Sequence, residues 1–375
     1  MGESTPLPPH LNKLFTLPGS QGGLGIQHLK EEASLQFAAS LKLTSAHRES
    51  IKAQDTCLRD KNSEGFDQST LRSQYKTLKE VRLKGKTSAI LQALPEPSKP
   101  FMKQSQDIGA SSWLNAIPKE EEDWVLSKQE FRDAVRVRYN LPIPDLPSFC
   151  VCKERPIYTV QHAQQCSKGG FINQRHDILR DFFCSLLNQV CTNVKAEPHL
   201  TKLSGEEFRY KTAITGDDAR SDIKCRNFWV RGQDAYFDIS FCHVNAPSNQ
   251  GKETEVIFEE RGQSKRREYV ERILLEHGTF TALIWGTNGG MGREASRFMK
   301  QLGFLLSIKR NEDRNVIMAW LRMKVSYICV RASLLCIRGS RKPWYKEDTT
   351  KISEDFRLSV HEADLRVNDE SSDVE

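Results

Sequence analysis

The feature that most constrains this chain is a compact set of potential metal ligands near its middle. Cys150, Cys152, His162 and Cys166 fall within seventeen positions, in the spacing C-x-C, nine residues, then H-x3-C. Structural zinc takes four thiolate or imidazole ligands in tetrahedral geometry, and a His and a Cys four residues apart can share one helical turn. The pattern therefore predicts a closed, non-catalytic zinc knuckle, although its C-x-C pair is tighter than usual. The alternative is three reduced thiols and an imidazole that pack together without an ion.

Charge is distributed unevenly along the 375 residues, whose formal net charge is +6. From Lys346 to Glu375 ten acidic residues face four basic ones, so this tail carries −6 and the body before it carries +12. A basic body fits a polyanionic partner such as nucleic acid, and it fits ordinary solubility charge equally well.

The ten cysteines are expected to be reduced thiols or metal ligands. No apolar signal-peptide core opens the chain, and cysteines of a chain that is not secreted are seldom paired in disulfides. No apolar run approaches the roughly 18 residues that a membrane-spanning helix needs, so we expect no membrane partner.

Prolines, glycines and changes in periodicity divide the chain into segments. Pro95, Pro97 and Pro100 end a basic helical stretch at 71–93, whose cations either meet phosphates or simply face solvent. The expected segments are a basic helical region (1–100), a helical connector (101–149), the ligand loop with an Arg-His-Asp triplet (150–177), a nuclease-like α/β domain (175–310), a C-terminal helix (311–345) and an acidic disordered tail (346–375).

The connector contains a clear helix-start signal. Ser127 and Glu130 have the spacing of a capping box, and Phe131, Val135 and Tyr139 then recur every four residues. We therefore expect a helix from 127 to 139 that turns these three side chains toward the core, with Trp113 and Trp124 as further core residues.

Between 175 and 287 the pattern predicts a helix, three strands, a helix and a strand. Asp177 and Glu197 fall at the start and the exit of the first helix, and Asp222 and Asp238 fall on two strands that a hairpin would pair. Mg²⁺ prefers oxygen ligands and keeps several waters, so two or three carboxylates suffice to bind it. Lys265 or Lys224 could add positive charge to such a site.

Asp238 is the most informative of these acids, because it lies within the apolar stretch AYFDISF. Alternation places Tyr236, Asp238 and Ser240 on one face of the strand and Phe237, Ile239 and Phe241 on the other. An acid in such a strand indicates a metal-binding carboxylate; the alternative is an edge strand with one face in water.

Taken together, these motifs resemble the C-terminal portion of reverse-transcriptase-like proteins of non-LTR retrotransposons that carry a restriction-like endonuclease. That family combines a CCHC knuckle, an Arg-His-Asp/Asn motif, a basic-x-Asp, a later second acid, and a helix with Lys and Tyr. The chain also resembles a retroelement-derived family of animal genomes at GASSWL (109–114), FRDAVRVRY (131–139), CVC (150–152), GGF (169–171), RHD (175–177) and GGMG (289–292), and the resemblance spans roughly residues 10–340.

The resemblance implies an α/β fold with a restriction-endonuclease-like mixed sheet, a structural zinc and flanking helical segments. It places the triplet on Arg175, His176 and Asp177, and it implies metal-dependent nicking of DNA in the nucleus, with RNA of the same element as a second partner. The implied site comprises zinc ligands Cys150, Cys152, His162 and Cys166, magnesium ligands Asp222 and Asp238, and catalytic Asp222, Asp238, Lys265 and Tyr269 together with His176 and Asp177. We expect Glu197 to complete the magnesium shell.

Several positions depart from the family pattern. Ser221 replaces the usual Pro before the first acid, and Ser240 stands two residues beyond Asp238 where the family has Lys. No polymerase active site is present, since Gly216-Asp217-Asp218 lies in a polar loop, and residues 1–100 would be a thumb-side remnant.

The function classes are thus a nicking enzyme, a catalytically inactive nucleic-acid-binding remnant, or a structural remnant. GTNGGMG (286–292) is interpreted as a tight turn rather than a phosphate-binding loop.

Overall fold

The computed structural model describes residues 9–26, 29–54, 68–200 and 219–341. The chain forms two compact units that divide between Asp107 and Ile108. The predictions for the loop at 216–218 and for the acidic tail from 346 lie outside the described residues.

The first unit is helical over its described residues. Its helices are α1 (Pro9–Phe15), α2 (Leu29–Leu43), α3 (Ser45–Lys52), α4 (Gln68–Ala93) and α5 (Lys99–Gln104). Helix α4 packs against α1 and α2, and Leu14, Ile90 and Met102 are buried within the unit. The basic stretch predicted at 71–93 is therefore helical, with exposed cations at Arg72, Lys76, Lys79, Arg82 and Lys84.

The second unit is a mixed α/β structure around a four-stranded sheet, which confirms the predicted fold class at this level. The strands are β1 (Thr192–Ala196), β2 (Ile223–Arg226), β3 (Asp234–Cys242) and β4 (Thr279–Gly286), in the spatial order β1-β2-β3-β4. The first three are antiparallel neighbours, and β4 runs parallel to β3. The helices are α6 (Lys128–Arg138), α7 (Val160–Ala163), α8 (Phe171–Val190), α9 (Thr254–Leu275), α10 (Arg293–Arg310) and α11 (Arg314–Arg338).

Helices cover both faces of the sheet. Helix α9 crosses between β3 and β4 and packs on one face, while α8 and α10 pack on the other and α11 packs behind them. The aromatic rings of Phe183, Phe237 and Phe298 meet on the second face, with centroids 5.1 Å apart for Phe183 and Phe298 and 4.9 Å for Phe237 and Phe298. This packed core holds the strands that carry the acids.

Strand β3 is an inner strand rather than an edge strand. It pairs with β2 through Ile223↔Phe237 and with β4 through Asp238↔Ala282. Both of its faces are covered, and Asp238 is only 2% exposed. The predicted alternation holds, since Phe237 and Ile239 join the core under α8 and α10 while Tyr236 packs with residues of α9.

The connector helix α6 begins as predicted, and two of its three predicted core residues face inward: Tyr139 is 3% exposed, and Val135 packs against the buried cluster that contains Trp113 and Trp124. Ser127 Oγ accepts from the Glu130 amide at 3.2 Å, and Glu130 accepts in return from the Ser127 amide at 2.7 Å. The prediction that Phe131 faces the core is wrong, because this side chain is 47% exposed and Asp133 is buried. The reason is electrostatic: Arg338 Nε of α11 donates to Asp133 Oδ2 at 2.8 Å and draws that face inward. Trp113 and Trp124 are buried as expected.

Candidate metal centre and acidic cluster

The four predicted metal ligands converge on one point. The ligand atoms of Cys150, Cys152, His162 and Cys166 all lie within 4.8 Å of one another, so the group could hold a metal ion. The Sγ atoms of Cys150 and Cys166 are 3.8 Å apart, as are Cys152 Sγ and His162 Nε2. Two sulfurs bound tetrahedrally to one zinc at about 2.3 Å would lie about 3.8 Å apart. The spacing therefore suits a single tetrahedral ion.

Local backbone structure explains why this tight C-x-C pair works. An antiparallel bridge joins Phe149 to Ile157, and the Cys150 amide donates to the Pro156 carbonyl at 2.9 Å. Arg155 adopts a left-handed φ of 48°, which closes the turn after Cys152. The two cysteines are thus presented on a short ribbon instead of the wider loop that a C-x2-C pair uses.

The second pair of ligands lies at a short helix. Thr159 caps α7, with its Oγ1 accepting from the His162 amide at 3.0 Å, and the Cys166 amide donates to the His162 carbonyl at 2.9 Å. His162 and Cys166 are therefore one helical turn apart, as the spacing predicts. The loop as a whole is fastened to α11, because Tyr158 Oη donates to the Ile337 carbonyl at 2.6 Å.

Asp238 is held by a ladder of side chains from α9. Lys265 Nζ lies 3.0 Å from Asp238 Oδ2 and 3.2 Å from Oδ1, and Lys265 stands 5.3 Å from the centre of the Tyr269 ring. One turn earlier, Arg261 Nε donates to Ser240 Oγ at 2.8 Å. Residues 261, 265 and 269 are four apart, so one face of α9 follows the alternating residues of β3. Lys265, and not Lys224, is the lysine beside the acid; Lys224 pairs with Asp234 at 3.0 Å.

Asp222 sits where β2 stops pairing with β3. Its amide donates to the Phe237 carbonyl at 3.1 Å, and its Oδ2 accepts from the next free amide of β3, that of Ile239. The same Oδ2 lies 3.0 Å from His176 Nε2, which comes from α8. The triplet Arg175-His176-Asp177 therefore lies one turn inside α8, and its histidine reaches the sheet.

The remaining acids gather around arginines. Arg180 contacts Asp177 at 3.0 Å and also binds Glu197, whose other carboxylate oxygen lies 3.8 Å from Arg220 Nη1. The Glu197 amide donates to the Asp222 carbonyl at 2.8 Å, so its backbone adjoins the first acid. Over the described ranges, the carboxylates of Glu197, Asp222 and Asp238 do not form a second group of three potential metal ligands like that of the cysteines.

Burial and neighbouring charges shift the pKa values of three side chains in this region. Burial raises the pKa of Asp238 to about 6, with the charge of Asp222 adding to the rise and Lys265 opposing it. Burial lowers the pKa of His176, but the hydrogen bonds and charges of Asp222 and Asp177 outweigh it and raise this pKa to about 9. Burial and the charge of Asp238 raise the pKa of Tyr269, so its phenol stays protonated at neutral pH. At neutral pH a cationic His176 thus faces Asp222.

The segment GTNGGMG forms a turn, as its interpretation predicts. The Gly286 amide donates to the Gly290 carbonyl at 2.7 Å, and Gly289 has a left-handed φ of 83°. The next amide, that of Gly290, donates to Asn288 Oδ1 at 3.1 Å. The turn delivers the chain from β4 into α10.

Sequence reasoning missed the partners that hold the acids. The four-residue recurrence of Arg261, Lys265 and Tyr269 was the signal that one face of α9 would meet β3, but no local pattern marks the contact of Arg180 with Glu197.

No helix in the described part of the chain has the length and apolar character needed to cross a membrane. Neither a family model nor a curated protein matches the chain.

Proposed function

We propose that this chain is the DNA-nicking module of a retroelement-derived protein, which cleaves phosphodiester bonds with magnesium and carries a structural zinc. The observation that supports it most is Asp238, a carboxylate buried in the middle of an inner strand and approached by Lys265 and Tyr269 from α9. A buried charge is costly and is rarely kept without a partner or a metal. The element order α8-β1-β2-β3-α9-β4 supports the restriction-endonuclease-like assignment.

Two carboxylates support the assignment to magnesium, Asp238 in the middle of β3 and Asp222 directly before β2. Asp238 Oδ2 is buried without a hydrogen-bond partner of good geometry within the described structure, although Lys265 Nζ lies 3.0 Å away. Asp222 lies at the end of the neighbouring strand, close enough for its charge to raise the pKa of Asp238. Two carboxylates with waters and a substrate phosphate suffice for Mg²⁺. When bound, the ion would supply the charge that activates a water and neutralises the phosphate.

The side chains around these acids have defined roles in this proposal. Asp222 and Asp238 would hold the metal, and Glu197, whose amide donates to the Asp222 carbonyl, would complete its shell. Lys265 stabilises the negative charge that grows on the phosphate, and Tyr269 positions Lys265 and Asp238. His176 is cationic at neutral pH and holds Asp222 through Nε2 at 3.0 Å, while Asp177 lies 3.2 Å from Nδ1 and orients the ring.

The Cys3His group is assigned to zinc in the same proposal. Three sulfurs and one imidazole nitrogen are the ligands that structural zinc prefers, and a four-ligand site leaves no position for a reacting water. The knuckle would brace the nuclease domain and contact nucleic acid, either target DNA or RNA of the same element. With DNA as its target, the protein is proposed to act in the nucleus.

A catalytically inactive nucleic-acid-binding remnant is the second candidate, and one observation favours it. Each proposed site carboxylate is already engaged by a cation of the protein, Asp222 by His176, Asp238 by Lys265 and Glu197 by two arginines. Such pairs can also be the final state of a site that has lost its metal.

Plasmid nicking distinguishes the two candidates. Purified protein is incubated with supercoiled DNA and Mg²⁺ or Mn²⁺, with and without chelator, and compared with Asp238→Ala; binding to the same DNA is measured in parallel. The enzyme predicts metal-dependent nicking by the wild type alone. Intact DNA binding with no nicking by either protein would support the inactive remnant and overturn the nicking proposal.

A further inference from the structure

We propose that Arg175 is a positioning residue that links the metal-binding loop (150–166) to the acidic cluster of Glu197, Asp222 and Asp238, so that a change in the loop alters the hydrogen bonds of the Asp222 carboxylate. The inference deepens the proposed function, on which it rests in treating Asp222 as a site acid. The contacts of Arg175 involve protein atoms only and do not depend on a bound metal.

The first contact joins Arg175 to the metal-binding loop. Arg175 Nη1 donates to Gln164 Oε1 at 2.8 Å, and Gln164 lies midway between the ligands His162 and Cys166. Gln164 is itself fixed, because its Nε2 donates to Ser333 Oγ at 2.7 Å and the side chain is 2% exposed. Any shift of the turn that carries the two ligands is therefore transmitted to the guanidinium of Arg175.

The second contact joins Arg175 to the sheet. Its guanidinium carbon lies 4.9 Å from the centre of the Phe241 ring, on the strand that carries Asp238. Arg175 is only 4% exposed, and its Nε has no hydrogen-bond partner in the described structure. A buried guanidinium with one side-chain hydrogen bond depends strongly on that bond.

The third link is covalent. Arg175 precedes His176, whose Nε2 lies 3.0 Å from Asp222 Oδ2, and this same oxygen accepts from the Ile239 amide. The position of α8 along its own axis thus determines where the His176 imidazole lies, and with it the orientation of the Asp222 carboxylate. If the hydrogen bond between Arg175 and Gln164 is broken, the first turns of α8 can shift. The shift would weaken the hydrogen bond from the Ile239 amide to Asp222 Oδ2.

The test is amide hydrogen exchange of the zinc-loaded protein, read residue by residue by NMR. We expect Arg175→Met to speed exchange at the Ile239 amide about tenfold or more relative to the other β3 amides, as loss of a hydrogen bond to a charged group predicts. Gln164→Leu, which breaks the same link from the loop side, should produce the same selective change. Zinc content should stay at that of the wild type, since neither residue is a ligand.

Arg338→Met is the matched control. It also removes a guanidinium from a buried partner, Asp133, but it has no link to His176. A purely structural role of Arg175 would speed exchange equally across β3 in Arg175→Met and Arg338→Met, and that result would overturn the inference. So would an Ile239 amide that exchanges at the wild-type rate in Gln164→Leu. Because no step requires cleavage, failure of the nicking assay and failure of this link are separate outcomes.

Discussion

Lys265 Nζ lies 3.0 Å from Asp238 Oδ2, and this contact joins α9 to the most deeply buried acid of the sheet. The lysine does not fully compensate the acid, because burial still raises the pKa of Asp238 to about 6. The folded protein therefore holds a carboxylate whose charge is unfavourable at neutral pH. That is the condition expected of a group kept for chemistry rather than for stability.

The first prediction concerns stability and pH. Burial raises the pKa of Asp238 from its ordinary 3.8 to about 6. The protonated acid therefore contributes its full share to the free energy of unfolding below about pH 3.8, and this contribution is lost as pH rises through about 6. Asp238→Asn removes this loss. We expect the free energy of unfolding of the variant, relative to the wild type, to rise by roughly 2–3 kcal/mol between pH 4 and pH 7.5. Urea unfolding of both proteins at the two pH values measures it.

Asp234→Asn is the control for that experiment. Asp234 lies on the same strand and pairs with Lys224, but its side chain is 27% exposed. Its loss should change stability by less than about 1 kcal/mol at both pH values. An Asp238→Asn effect that is the same at pH 4 and pH 7.5 would contradict the account of the buried carboxylate.

The second prediction concerns His176. Its pKa is raised to about 9, so the stability that its pairing with Asp222 contributes is present below about 6.5 and is lost as pH rises through 9. His176→Gln lacks this contribution. We expect the variant to be about 1–2 kcal/mol less stable than the wild type at pH 6 and nearly equal at pH 9.5, the magnitude being limited by the 27% exposure of the side chain. A stability difference that does not shrink over this range would show that Asp222 does not raise this pKa.

The third prediction concerns the metal-binding loop. We expect one zinc ion per chain, and we expect Cys166→Ser to lower zinc content and thermal stability together, because metal binding and folding of the loop are coupled. Cys184→Ser, which alters a half-buried thiol outside the group, should keep the full zinc content. Elemental analysis of dialysed protein and thermal unfolding measure both. Equal zinc content in Cys166→Ser and wild type would contradict the assignment.

The fourth prediction concerns the connector helix. Asp133 is 1% exposed and binds Arg338 at 2.8 Å, so Asp133→Ala removes the carboxylate partner of a guanidinium that then keeps only the carbonyls of Pro144 and Asp145 among the described residues. We expect a loss of about 3 kcal/mol in the free energy of unfolding. Asp181→Ala, at a side chain that is 57% exposed, should cost less than about 1 kcal/mol. Similar losses for the two variants would mean that burial does not strengthen the Asp133 pair.

Local patterns predicted most of the elements and the ligand group. The capping box at Ser127 and Glu130, the alternation through Asp238 and the one-turn spacing of His162 and Cys166 are each encoded within a few residues. They depend on backbone geometry that short sequence stretches determine.

Long-range pairing was not predictable in the same way. Phe131 was expected to face the core and is exposed, because Arg338, some two hundred residues later, draws Asp133 inward instead. The contacts of Arg175 with Gln164 and of Arg180 with Glu197 likewise depend on how α8 packs. The apolar recurrence in α6 therefore predicts the burial of Tyr139 correctly and that of Phe131 wrongly, because it carries no information about the ion pair of Asp133 with Arg338.

The measurement that tests the central claim most directly is the rate of Mg²⁺-dependent nicking of supercoiled DNA by the wild type, Asp238→Asn and Asp234→Asn. Both variants remove one carboxylate from β3, but only Asp238 meets Lys265. The account predicts nicking by the wild type and Asp234→Asn at similar rates, and a loss of at least a hundredfold, on the order of 3 kcal/mol in the barrier, for Asp238→Asn. Equal rates for all three proteins, or no nicking by folded, zinc-loaded wild type, would contradict it.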